Sequence, residues 1–195
     1  MRQTSTEIEA PVMELVRLRR SSRAFSDRPV DEDTIRILFE AARWAPSSRN
    51  EQPWQYLYAT SAQTELWTRI FNSLTESNQL WVRHVPLLIV SMMRTTFLRD
   101  GQVNPSAAYD LGAANAFLTL QATALGLNVR QMGGFYPDRL REALRIPSDY
   151  QPVTVLAIGY AASAEMLSPD LQQREAAPRL RYRQADFVRN EIFPE

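Results

Sequence analysis

One segment limits the fold more than any other: residues 104–126, where Asn104 and Pro105 open, and Gly126 closes, a run rich in small and apolar residues. Asparagine supplies a cap, proline suits a first turn whose N–H groups have no intrahelical partner, and glycine accepts the left-handed conformation that ends helices. Between them Ala107, Leu111, Ala114, Phe117, Leu118, Gln121 and Leu125 recur at helical spacing over two faces. A helix apolar on two sides needs cover on two sides. The segment is therefore expected as a central helix and is a candidate subunit contact.

The flanking sequence alternates between helical and extended periods. A helix is expected from about Pro11, with Val12, Leu15 and Val16 apolar and a run of arginines at its end. Asp31 should cap a second, carrying Ile35, Leu38, Phe39 and Ala42 on one face until Pro46. Trp54 to Thr60 reads as a strand, and Thr60 with Gln63 as the capping pair of a helix bearing Leu66, Trp67, Ile70, Phe71 and Leu74. Residues 87–92, 128–132 and 151–160 read as further strands, Gly133-Gly134 as a break, and Pro137 as the start of a helix ending near Arg145. Beyond Ala161 the chain turns polar and is broken by Pro169 and Pro178, a tail not expected to fold alone. The pattern is one α+β domain over residues 1–195, a sheet covered by helices.

Composition narrows the chemistry. Cysteine is absent, there is one histidine, and all 22 basic residues are arginine. Thiol nucleophiles, cysteine-based zinc sites, Schiff-base lysines and phosphate-loop lysines are thereby excluded. His84 lies among apolar neighbours with no Gly-x-Ser-x-Gly turn in the chain, so it is expected to be structural, and no metal site is expected. The 22 acidic residues bring the formal charge to zero, which predicts no general attraction to nucleic acid or to a membrane surface. No signal peptide or membrane span is visible, and a cytoplasmic protein is expected. An enzyme of this composition would most easily borrow its chemistry from a cofactor.

Two motifs say which kind. Arg19-Arg20-Ser21-Ser22-Arg23 places three guanidinium groups and two hydroxyls in five residues, and Trp44-Ala45-Pro46-Ser47-Ser48-Arg49-Asn50-Glu51-Gln52-Pro53-Trp54 is a polar loop between two tryptophans. Arginines at a helix end also complement the helix dipole, and Pro, Ser and Asn also serve ordinary turns. Together, however, the two suit a flat, phosphorylated, heteroaromatic ligand, because the arginine fork answers a dianionic phosphate and asparagine both donates and accepts. Gly133-Gly134 is too short for a dinucleotide fingerprint, and no Gly-x-Gly-x-x-Gly exists.

These motifs closely resemble the opening of the nitroreductase family of flavin mononucleotide (FMN) enzymes, and the resemblance extends over roughly residues 14–189. It implies a nitroreductase-like fold with a central, mostly antiparallel sheet flanked by helices, in an intertwined homodimer. A C-terminal arm of about residues 162–195 would embrace the partner. By the resemblance Arg19, Arg20 and Ser21 hold phosphate and ribityl oxygens, and Arg23 lies towards the N1/O2 edge of the flavin. Pro46, Ser47, Ser48, Asn50 and Gln52 line it, while Gln131, Met132, Gly133 and Gly134 approach its ring, with Met132 packing against it. Arg179 and Arg181 complete the phosphate site, with Arg183 a third member; the family's proline after this pair is replaced here by Arg183-Gln184. The implied activity is NAD(P)H-dependent reduction of nitroaromatic, quinone or similar small acceptors by a ping-pong mechanism with no side-chain acid or base. A reductase of another acceptor class, a non-enzymatic FMN-binding or sensor protein and a general anion-binding module are the alternatives.

Overall fold

The computed structural model describes residues 4–193. In chain order its regular elements are β1 (Thr4–Ser5), α1 (Glu14–Leu18), α2 (Glu32–Arg43), β2 (Trp54–Thr60), α3 (Thr64–Asn72), α4 (Glu76–Val82), β3 (Leu87–Arg94), α5 (Ala107–Ala124), β4 (Leu127–Met132), α6 (Pro137–Leu144), β5 (Tyr150–Tyr160), α7 (Pro169–Ala176) and β6 (Arg181–Tyr182). Four strands form one antiparallel sheet in the order β2-β3-β5-β4, and β1 pairs with β6. The fold is α+β, as the sequence pattern predicts.

Both faces of the sheet are buried, which is why β3 reads as an unbroken apolar run rather than as an alternation. Leu88, Val90, Val155, Ala157 and Met132 join a core closed by α3, α4 and α6. Leu87, Ile89, Leu156, Ile158 and Val129 join the other, closed by α2 and α5. The register slips between Ser91 and Met92, where Met92 faces Pro152. Proline has no N–H to give the ladder, so the irregularity falls where a hydrogen bond was already missing.

Of the expected caps, Asp31 acts as the N-cap of α2, its Oδ1 accepting from the Thr34 N–H at 2.8 Å. The other two signals act one turn early: Gln63, itself the N-cap of α3, accepts from Thr60 N–H at 3.0 Å, and Asn104 Oδ1 accepts from Ser106 N–H at 3.0 Å in the turn before α5, whose N-cap is Ser106. Gly126 takes φ +74° after α5, a conformation costly for a residue with a Cβ. No helix among the described residues is long and apolar enough to cross a membrane.

Three expectations need correction. The first helix starts at Glu14 rather than near Pro11, because residue 13 is extended, with ψ 140°. Pro169 does not break the tail but opens α7, proline being well suited to a first turn, and Leu167 and Leu171 anchor the tail in the core. Helix α5 is not covered on both sides within one chain. Ala107, Leu111, Ala114, Leu118 and Ala122 are buried, whereas Tyr109 is 82% and Phe117 43% exposed on its outer side.

Candidate active site

The turn after α1 carries the first motif. Arg19 caps α1, its guanidinium donates to Ser21 Oγ at 3.0 Å, and the following Ser22 and Ala24 are buried beneath it. Two residues of the tail reach back to the same turn. The Arg179 guanidinium donates to the backbone carbonyls of Arg19 and Arg17, and Arg181 lines a cavity of about 430 Å³ with Arg19, Ser21, Thr119, Val129 and Gln131. Burial, then the charges of Arg179 and Arg181, lower the pKa of Arg19. Three cations are thus held together so closely that they repel one another, and among the described residues Arg19 has no carboxylate partner to offset it. A phosphate monoester would supply the missing charge and could accept from all three in charge-assisted hydrogen bonds.

On the sheet edge β4 contributes from both faces. Gln131 Nε2 donates to Thr119 Oγ1 at 3.1 Å on the α5 side, while Arg130 on the other side donates to the carbonyl of Ser21 at 2.6 Å and lies over the Trp81 ring. Arg130 and Glu175 belong to a second cavity, of about 280 Å³, that also holds Arg20, Arg23 and Arg174. Neither Arg130 nor Glu175 stood out in the sequence. Arg130 carried one available signal, since strand alternation beside Gln131 sends it to the opposite face at the same edge.

Met132 is only 3% exposed and its side chain sits in the core, so the expected packing against a ligand ring is replaced by an inward-facing one. Strand alternation decides this, because the side chain shares a face with Arg130 and leaves Gln131 outward. The two glycines also divide. A Cβ on Gly134 would lie 2.6 Å from Asn78 Nδ2 and 2.9 Å from Thr75 Oγ1, and the Gly134 carbonyl accepts from both side chains. Gly134 is therefore required by its approach to the start of α4. Gly133 is exposed and has nothing within 4 Å of a built Cβ, leaving open space beside the strand end.

The second motif folds into a strained loop elsewhere. Arg49, Asn50 and Gln52 take φ of 55°, 56° and 50°, the left-handed region that residues with a Cβ avoid. Local bonds hold it: Ser47 Oγ accepts from Gln52 N–H at 3.0 Å, Gln52 Nε2 donates to the Asn50 carbonyl at 3.2 Å, and the buried Asp110 accepts from Ser48 N–H at 3.1 Å. Pro46 and Asn50 are exposed. Asp110 is in the first turn of α5, whereas Arg19 and Arg181 share their cavity with Thr119 and Leu120. Thr119 follows Asp110 by nine residues, about 13.5 Å along the axis, so the serine loop lies by the first turn of α5 and the arginines by its C-terminal half.

The remaining expected positions are on the surface. Arg20 donates to the backbone carbonyl of Glu175 at 3.4 Å, and Arg183 is exposed beyond β6. His84 is exposed after α4. Among the described residues no group of three or more His, Asp or Glu is arranged to hold a metal ion.

This architecture recurs in known proteins. A crystal structure described as an oxidoreductase containing FMN is 32% identical, covers 96% of both chains and superposes with a TM-score of 0.91. A protein from Desulfovibrio desulfuricans, provisionally named a nitroreductase and solved in complex with FMN, is 25% identical over 96% of this chain and 100% of its own, with a TM-score of 0.74. A Xanthomonas oryzae protein provisionally named NADH dehydrogenase/NAD(P)H nitroreductase is 25% identical over 86% of this chain and 95% of its own. The sequence pattern of the Nitroreductase family matches residues 16–160, nearly all of the sheet and the helices that cover it, and the chain belongs to the nitroreductase family.

Proposed function

We propose that this chain is an NAD(P)H-dependent FMN oxidoreductase that reduces small nitroaromatic, quinone or related acceptors by a ping-pong mechanism. The observation that carries the reading is the group Arg19, Arg179 and Arg181, cations crowded enough to depress Arg19 beside two accessible cavities. That donor set fits the terminal phosphate of FMN. When bound, FMN supplies hydride transfer, taking reducing equivalents from the nucleotide and passing them to the acceptor. The side chains bind and orient. Arg19, Ser21, Arg179 and Arg181 hold the phosphate, Arg20 adds to the cation field, and Arg23 lies at the pyrimidine edge, where a positive charge favours the reduced form. Gln131 and the backbone of Met132 and Gly133 border the ring, with Gly133 keeping the approach clear. No side-chain acid or base is required, and the cysteine-free chain suits the cytoplasm.

The site is completed by a second copy of the chain. Pro46, Ser47, Ser48, Asn50 and Gln52 lie by the first turn of α5 and the arginines by its C-terminal half, and a two-fold pairing would bring one copy's loop to the other's arginines. Two surfaces support this: the outer side of α5 leaves Tyr109 and Phe117 uncovered, and the end of the tail exposes Phe187 at 62% and Ile192 at 91%. Of the arm from about residue 162, the part up to β6 packs on its own chain, and the segment beyond β6 is the part that would embrace the partner.

Release of the chromophore by heat and its identification by chromatography test the cofactor. FMN is expected; a colourless protein that also fails to bind added FMN contradicts the reading. Anaerobic NADH or NADPH should then bleach the bound flavin, and a protein that holds FMN but is bleached by neither is a binding protein rather than an enzyme.

A further inference from the structure

Among the described residues, Glu175 is the one acid in a cavity lined by seven arginines. From α7 it reaches a turn more than 150 residues earlier in the chain: its Oε2 accepts from the Arg23 N–H at 3.0 Å, and its other carboxylate oxygen accepts from the Ser22 hydroxyl. The same Oε2 lies 3.8 Å from the Arg23 guanidinium, with side chains only 17% and 16% exposed. A pair so shielded is weakly screened by salt. Arg130, next along the cavity, feels burial and the charge of Arg23 against it and Glu175 in its favour.

We infer that Glu175 is a positioning residue for the bound flavin, fixing the place and the effective charge of Arg23 and thereby how readily the flavin is reduced. This rests on the reading of Arg23 at the pyrimidine edge. Reduction adds negative charge there, the arginine favours that charge, and a carboxylate beside the arginine offsets part of the advantage. The backbone bond to Arg23 keeps the cation where it acts. The carboxylate keeps it from acting at full strength.

Glu175→Gln separates these two effects. The amide oxygen still accepts from the Arg23 N–H, and the amide N–H still donates to the Ser22 hydroxyl, which has lone pairs to receive it. The clamp survives and the charge is gone. Potentiometric titration of the FMN-loaded protein should show a higher midpoint potential in this variant. The expected size is about a tenfold change in the ratio of the oxidised to the reduced flavin dissociation constant, or about 30 mV for a two-electron couple. Arg23→Gln should shift the potential the other way, and Glu175→Asp should return most of the wild-type value. A purely mechanical clamp would weaken FMN binding in Glu175→Ala yet leave the potential of Glu175→Gln at the wild-type value, and that result overturns the inference. Should Glu175→Gln fail to fold, Arg23→Gln decides, and a potential at or above wild type overturns it. Wild-type protein that binds no FMN refutes the cofactor reading itself, and the inference with it.

Discussion

The arginine turn and the serine loop are built in opposite ways. Around Arg19 the chain brings together like charges that repel, and distant elements hold them: Arg179 from the tail, Arg130 from β4 and Glu175 from α7. Around Asn50 the chain adopts an unfavourable backbone, and near neighbours hold it, Ser47 and Gln52 within the loop and Asp110 at the start of α5. The first region stores electrostatic tension that an anion relieves. The second stores backbone strain that fixes donors and acceptors in place before any ligand arrives. Affinity should therefore reside in the turn and its tail, and shape in the loop.

Truncation before Arg179 tests that division most severely. It removes Arg179, Arg181 and the exposed apolar end of the tail together, so both dimerisation and FMN retention should be lost, as measured by flavin content after gel filtration. A truncated protein that kept its flavin would place the phosphate elsewhere. Next in size, Arg19→Ala and Arg181→Ala should each weaken FMN binding by about one to two decades, from about 1.5–3 kcal/mol per charge-assisted bond. Titration with quenching of flavin fluorescence measures this, and unchanged affinity in both variants would remove them from the phosphate site.

The loop should respond differently. Arg49→Gly relieves a left-handed residue with a Cβ at φ 55°, so the apoprotein should gain about 1 kcal/mol or less against denaturant with FMN affinity nearly unchanged. A large loss of affinity would show that Arg49, too, contributes binding charge. The smallest effect concerns the helix leading into the loop. Arg43 and the Trp44 indole N–H both donate to Glu40 and hold its pKa at about 2, below the usual 4.5. A depressed carboxyl contributes stability above its unfolded pKa and loses it as pH falls through the folded value. The Glu40→Gln variant should therefore melt slightly below wild type at neutral pH, the gap closing between about pH 4.5 and 2. A gap independent of pH would mean that packing of Trp44, not charge, anchors the loop. Because Glu40 is exposed to solvent, the effect is small.

What was legible in the sequence follows from range. The strands at Trp54–Thr60 and Tyr150–Tyr160 and the helix from Ala107 declare themselves through local periodicity and caps, and the structure places them within a residue or two of expectation. Helix α4 and the β1–β6 pairing did not, since α4 is a short helix with two buried residues and the pairing joins two-residue strands from opposite ends of the chain. The same limit applies to the site. Arg19, Ser21 and Asn50 lie in dense local motifs, whereas Arg130 and Glu175 acquire meaning only when β4 and α7 arrive beside Ser21 and Arg23. Met132 faces the core rather than a ligand because alternation along an edge strand, not distance from the site, decides which side chain faces outward.

The central claim is that one flavin site is assembled from the arginines of one copy and the serine loop of another. Sedimentation velocity recorded at both protein and flavin wavelengths tests it most directly, on wild-type protein diluted through its dissociation range. The account predicts that flavin absorbance travels only with the dimer and is released as monomers form. A monomer carrying stoichiometric FMN would contradict it.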